Sequence, residues 1–318
     1  MLVRMKVRDV FAPIDPLGDA LGFLRMSGVF CCRSELTASW GLALPAIDET
    51  LSFHVVTAGG GWLELEGEPP LRLEAGDLAL VPHDRGHRLV SEPGARAFRI
   101  DELPHEEVRE RYAYLVHGTG GAPTSLVCGS VRFEHESARV LVELLPRVIH
   151  VRASSAPEHE WMRTTLELLA NEAKAMRPGG ETMLARLADL LVVHAIREWM
   201  ERAPREQQGW IAGLRDPQIG RALALVHREP SRPWTLEALA RAVGMSRSAF
   251  AARFTELLGE PAMTYVARWR MQIAHGMLAR DRAGLGEVAG KLGYSSEAAF
   301  SRAFKSYVGV SPGAIKRG

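Results

Sequence analysis

The chain has 318 residues, of which 47% are hydrophobic and 24% charged, with a formal net charge of +1. This balance excludes a disordered or fibrous chain and suffices for two domains. No apolar run approaches the roughly 18–20 residues that span a bilayer, and MLVRMKVRDVFAPID at the start lacks the apolar core of a secretory signal, which predicts a cytoplasmic protein with no membrane partner.

From about residue 10 to 150 the chain carries short strand-like runs: LSFHVV (51–56), WLELEG (62–67), LRLE (71–74) and DLALVP (77–82). Gly- and Pro-rich turn signals separate them, among them AGGG at 58–61, EPP at 68–70 and EPG at 92–94. No helical period intervenes, so residues 1–150 are expected to form a β-sandwich or barrel. Three cysteines, Cys31, Cys32 and Cys128, are too few and too odd in number for a disulfide framework.

The pattern then turns helical. Trp161, Leu166, Leu168, Leu169 and Ala173 recur at helical spacing over 157–176, RPGG at 177–180 breaks the run, and Met183, Leu187, Leu190, Leu191, His194, Ala195 and Trp199 resume it over 181–202. Two long helices joined by a Pro-Gly-Gly turn pack antiparallel. Residues 151–203 either complete the preceding core or form a dimerisation element, which would make the protein a homodimer. The polar APREQQGW at 203–210 is a linker.

The modest net charge conceals an asymmetry. Residues 210–318 hold 16 Lys and Arg against 8 Asp and Glu, whereas the rest of the chain holds 23 against 30. A basic C-terminal third on an acidic body points to a polyanionic partner. That third also contains a repeat. Ala240, Gly244, Ser246, Phe250 and Phe254 are matched by Ala289, Gly293, Ser296, Phe300 and Phe304. In both copies Ala precedes Gly by four residues, Ser precedes Phe by four, and the two Phe are four apart; only the Gly–Ser spacing differs, two against three. The Gly suits a left-handed C′ position. The Ser suits an N-cap, the paired Phe residues lie on one helix face, and Ala leaves room where two helices cross. Each copy is a helix-turn-helix unit. YVARWRMQIAHGMLA at 265–279 is expected to be the single helix that holds them apart, so that two recognition helices enter successive major grooves about 34 Å apart.

On these features residues 215–318 resemble the AraC/XylS family of transcription regulators. The GEPAMTYVARWRMQIA segment (Gly259, Pro261, Tyr265, Arg268, Arg270, Ala274) and the ending YSSEAAFSRAFKSYVGVSPGAIKR add to the resemblance. It implies a tandem DNA-binding domain over 210–318, with double-stranded promoter DNA as partner. The base-reading positions would be those following the capping serines: Arg247, Ser248, Ala251 and Ala252 after Ser246, and Glu297, Ala298, Ser301 and Arg302 after Ser296. Arg302 has the chemistry for guanine O6/N7 or a phosphate, and Glu297 for cytosine N4. The alanines of the first unit depart from the family pattern and favour thymine-methyl contacts or shape readout.

A second resemblance lies in GDLALVPHDRGH at 76–87. Gly76, five residues, Pro82, four residues and His87 are similar to the second cupin motif, although Asp84 replaces a usual Gly. His54 matches the leading His of the first motif, but Val56 stands where a second His is expected and no Glu follows. The implied fold is a cupin-like jelly-roll barrel over about 10–135, of a type that binds effectors in this regulator family. The expected architecture is therefore α+β and multidomain: cupin-like β-barrel, helical pair, all-α tandem helix-turn-helix domain. His54, His87, Cys128 and His135 are the candidate ligands of a zinc or iron site. Strand alternation along VCGSVRFEH puts Cys128 and His135 on opposite faces, so joining them requires a bulge, for which Gly129 is the candidate. Cys31, Cys32 and Cys128 are the redox candidates.

The expected function is a transcriptional activator whose barrel senses a small molecule, metal or redox signal, with RNA polymerase as a further partner. The alternative is a metal-dependent cupin enzyme with a DNA-binding tail; a barrel that binds a protein partner is a third reading. The incomplete first motif argues against the enzyme, as does the lack of a nucleophile elbow, P-loop or dinucleotide fingerprint.

Overall fold

The structure, a computed structural model, describes residues 26–47, 50–83, 85–133, 142, 145–153, 160–175, 177–202, 209–279 and 283–315. They fall into two compact units, one from the first strand to residue 202 and one from residue 209 onwards.

Twelve strands build the first unit: β1 (Met26–Thr37), β2 (Gly41–Leu44), β3 (Thr50–Ala58), β4 (Gly60–Glu64), β5 (Leu71–Glu74), β6 (Leu78–Val81), β7 (His87–Val90), β8 (Phe98–Arg99), β9 (His105–Arg109), β10 (Tyr112–Gly118), β11 (Pro123–Phe133) and β12 (Ile149–Val151). They form a seven-stranded sheet, β12-β6-β3-β11-β1-β10-β9, and a five-stranded sheet, β5-β4-β7-β2-β8. The inward faces meet in one apolar cluster that includes Leu36, Trp40, Val56, Leu63, Leu73, Val81, Leu89 and Leu126. Residues from both sheets are present, as a cupin-type sandwich requires.

Helices α1 (Glu160–Ala175) and α2 (Gly180–Arg202) pack on each other and on this unit; α1 meets β3, and α2 meets β1, β6 and β12. The large sheet is therefore covered on its outer face too. This explains why β3 is buried from Thr50 through Val56, without the polar alternation of a one-sided strand. Leu184, Leu187, Ala188, Leu191, Val192, Ala195 and Ile196 form the buried stripe of α2, while Met183 and Leu190, with Leu168 of α1, stay exposed.

The second unit is helical: α3 (Trp210–Arg215), α4 (Pro217–Arg228), α5 (Leu236–Ala242), α6 (Arg247–Leu258), α7 (Ala262–Ala279), α8 (Leu285–Lys291), α9 (Glu297–Val308) and α10 (Pro312–Ile315). Its helices start where the sequence supplies caps. Asp216 accepts from Gln218 and Ile219 N–H, and Thr235 accepts from Ala238 N–H. The long α7 contributes Tyr265 and Trp269 to a buried aromatic group with His227 of α4, whose ring stacks on Trp269 at 3.8 Å between centroids. The Tyr265 hydroxyl and His227 Nε2 share a 2.7 Å hydrogen bond. Burial, with the Arg268 charge adding, pushes the His227 pKa down to about 3.

Candidate functional site

The repeat folds into two turns with the same hydrogen-bond pattern. Met245 N–H donates to Ala240 C=O at 2.9 Å, and Tyr294 N–H donates to Ala289 C=O at 2.9 Å. Gly244 and Gly293 take φ of +71° and +76°. Each turn is thus a Schellman-type stop, which needs the left-handed conformation that Gly adopts without penalty. Ser246 and Ser296 then accept from Ala249 and Ala299 N–H, both at 3.2 Å. The paired rings repeat as well: Phe250–Phe254 and Phe300–Phe304 each lie 5.6 Å apart at 54° and 53°. All four phenylalanines are buried, as are Ala240 and Ala289 at the helix crossings. The second copy has one more turn residue, Ser295, between Tyr294 and the capping serine, and its Tyr294 ring stands edge-on to Phe300.

Burying the Phe face leaves the opposite face of α6 and α9 outward. Ser246, Arg247, Ser248 and Ala252 are exposed and Ala251 is half-buried; Ser296, Glu297, Ala298 and Arg302 are exposed and Ser301 is half-buried. Arg247 is engaged by Glu237 of α5 at 2.8 Å. Arg302 makes no ion pair among the described residues. Glu297 folds back over α8, so close that a Cβ on Gly286 would stand 2.6 Å from its Oε1. Arg268 and Arg270, both in the family-like segment, serve structure: Arg268 bonds Glu260, and Arg270 donates to the carbonyls of Pro230 and Arg232.

Inside the barrel, the strand register brings soft donors together. Cys32 of β1 lies opposite Cys128 of β11, which lies opposite His54 of β3. Directly paired residues project to the same side, and here that side is the interior. From the other sheet His87 of β7 reaches His54, Nε2 to Nε2, at 2.7 Å. All four residues are at most 5% exposed. His54 Nδ1 has no hydrogen-bond partner among the described residues. Burial, followed by the His87 neighbour, drives the His54 pKa well below the ordinary imidazole range. Burial likewise raises all three thiols, Cys31 to about 12, which keeps them protonated and poorly nucleophilic. All three cysteines are free.

One expectation changes. Gly129 hosts no bulge: Cys128, Gly129 and Ser130 pair in continuous register with His54, Phe53 and Ser52, and the β3–β11 irregularity falls at Ser125/Leu126. Gly129 is small because Phe53 lies over it, 2.5 Å from where a Cβ would sit. His135 lies outside the described residues, as does Asp84. Among the described residues, the one that joins His54, His87 and Cys128 is Cys32. In sequence the Cys31–Cys32 pair gives no hint which member points inward; Cys31 is opposite Gly129 and Tyr112 and faces the other way. His83 turns aside to bond the Leu145 carbonyl.

Comparison with known proteins agrees with both halves. A family model described as Cupin matches residues 15–201, and one described as Helix-turn-helix domain matches 239–318. A putative AraC-like transcription regulator of Streptomyces lividans is 33% identical over 96% of this chain and 98% of its own. The RCS-specific HTH-type transcriptional activator RclR of Escherichia coli is 26% identical over 93% and 96%. Among solved structures, the C-terminal domain of AraT, a response regulator from Geobacillus stearothermophilus, is 28% identical, covers 32% of this chain and 85% of its own, and has a TM-score of 0.31. The chain belongs to the AraC-like HTH-type transcriptional regulators, with a cupin domain ahead of its helix-turn-helix domain.

Proposed function

We propose that this regulator binds promoter DNA sequence-specifically through α6 and α9, and that the barrel supplies the signal controlling that binding. The observation that carries the reading is the duplicated, serine-capped helix with its Phe face buried and its opposite face exposed, on a segment with twice as many basic as acidic residues. Ser246, Arg247, Ser248, Ala251 and Ala252 form one reading surface, and Ser296, Glu297, Ala298, Ser301 and Arg302 the other. Exposed Leu168, Met183 and Leu190 on the helical pair support a homodimer formed there. The Escherichia coli relative, named as a transcriptional activator, supports an activator, which would contact RNA polymerase in the cytoplasm.

The enzyme reading is disfavoured by Val56. It is 1% exposed inside the barrel, at the position where a catalytic cupin would carry its second His, and a hydrocarbon there offers no ligand. The test is binding of the full-length protein to DNA upstream of its own and neighbouring genes. A specific complex that weakens steeply with salt is expected. Equal affinity for all sequences would contradict sequence-specific reading.

A further inference from the structure

We propose that Cys32, His54, His87 and Cys128 are the ligands of a closed tetrahedral site for a soft divalent cation, zinc above all, linking the two sheets of the barrel. Three observations converge on it. The first is the register, which stacks Cys32, Cys128 and His54 side by side on three adjacent strands. The second is the contact from the opposite sheet, His87 Nε2 to His54 Nε2. The third is the buried Nδ1 of His54, which has no hydrogen-bond partner among the described residues. The surroundings are hydrocarbon: Leu36, Val56, Leu89 and Leu126 belong to the same inward cluster as both cysteines.

Charge fits that setting. Two thiolates cancel a dication and two neutral imidazoles add nothing, so the loaded site carries no net formal charge in the apolar interior. The balance is one cation taken up, two S–H protons released to solvent, and four coordinate bonds formed.

Among the described residues no group of three or more His, Cys, Asp and Glu side chains is already set to hold a metal ion. The step to such a set is short. Two nitrogens each about 2.0–2.1 Å from a tetrahedral zinc stand roughly 3.3 Å apart, against 2.7 Å for the present hydrogen bond. The rings need part by about 0.6 Å by that geometry, while the thiols turn between staggered rotamers. Among the described residues Cys32 Sγ makes weak hydrogen bonds at 3.7 Å to Arg33 O and Ser34 Oγ. With four protein ligands the site has no open position, which marks it as structural or sensory rather than catalytic.

The experiment is cobalt(II) titration of the full-length, untagged, chelator-treated protein, followed by absorbance, with zinc content measured in parallel. The expected result is about one equivalent per chain, with tetrahedral d–d bands and a near-ultraviolet thiolate-to-cobalt band. Cys31→Ser, whose side chain faces away from the row, is expected to keep the spectrum. Cys128→Ser and Cys32→Ser are expected to weaken or abolish the thiolate band, and His87→Asn to reduce uptake. No uptake by the parent protein, or a spectrum without the thiolate band, overturns the proposal. So does an unchanged thiolate band in both Cys32→Ser and Cys128→Ser. The readout is independent of DNA binding, so failure here leaves the promoter-binding reading standing.

Discussion

Glu237 holds Arg247 at 2.8 Å, so the first arginine of α6 is already engaged within its own unit. Arg302, the arginine of α9, is exposed and makes no ion pair among the described residues. The two copies share a scaffold but present their cations differently.

The difference sets the first prediction. Arg302→Ala is expected to weaken specific promoter binding roughly 5- to 150-fold, the range of a good base contact. If its partner is a phosphate, the loss is uniform across sequences and the salt slope falls by about one. Glu237→Gln is expected to strengthen binding by freeing Arg247. Fluorescence anisotropy at several salt concentrations measures both effects. Unchanged affinity in Arg302→Ala removes this residue from the interface.

The turn glycines differ in their surroundings, and their variants should differ accordingly. A Cβ on Gly244 meets nothing within 4 Å, whereas one on Gly293 stands 2.2 Å from the Ser231 carbonyl oxygen. Gly244→Ala should cost only the left-handed backbone penalty, about 1–2 kcal/mol. Gly293→Ala must also displace the connection between α4 and α5, and should cost more. Gly290 lies inside α8 with open space around it, so Gly290→Ala should stabilise by up to about 1 kcal/mol. Chemical denaturation of the three variants ranks them; equal costs for Gly244→Ala and Gly293→Ala would contradict the Ser231 contact.

Loss of a serine cap should be felt equally in the two copies. Ser246→Ala and Ser296→Ala are each expected to destabilise the helical unit by about 1 kcal/mol, because each removes the same 3.2 Å bond. Denaturation midpoints compared at a common slope report this; a change in only one of them would show that the copies are not equivalent.

His227 gives the helical unit a pH dependence of defined sign. Its folded pKa, about 3, lies below the ordinary value of 6.5. The unfolded chain therefore binds the proton more readily between those values. The stabilisation from keeping this ring neutral is complete above about pH 6.5 and declines on acidification, at about 1.4 kcal/mol per pH unit between the two pKa values. Hydrogen exchange of α4 and α7 in the full chain, compared with His227→Phe, isolates the effect. An equally steep slope in His227→Phe would assign it to other groups.

Where the sequence could be read depended on distance along the chain. The tandem turns were legible in full, because their signals are local: Gly, Ser and Phe each act within four residues. The strands at 51–82 were legible from turn punctuation, and the two helices from their period. The barrel site was legible only in part. His54 and His87 stand in motif positions, but Cys32 meets Cys128 across 96 positions of chain, and only pairing shows which of Cys31 and Cys32 faces inward. Gly129 misled for a related reason: a glycine in a strand serves a bulge or a close approach, and here Phe53 supplies the close approach. Val56, by contrast, already told in sequence that the catalytic cupin set is incomplete.

The most direct test of the central claim is footprinting of the full-length protein on DNA from upstream of its own and neighbouring genes. The expected result is protection of two successive major-groove segments on one face of the duplex, about one helical turn apart. Ala251→Glu is expected to erase contacts in one segment and Arg302→Ala contacts in the other. A single protected segment, or protection unchanged by either substitution, would contradict the claim that both serine-capped helices read DNA.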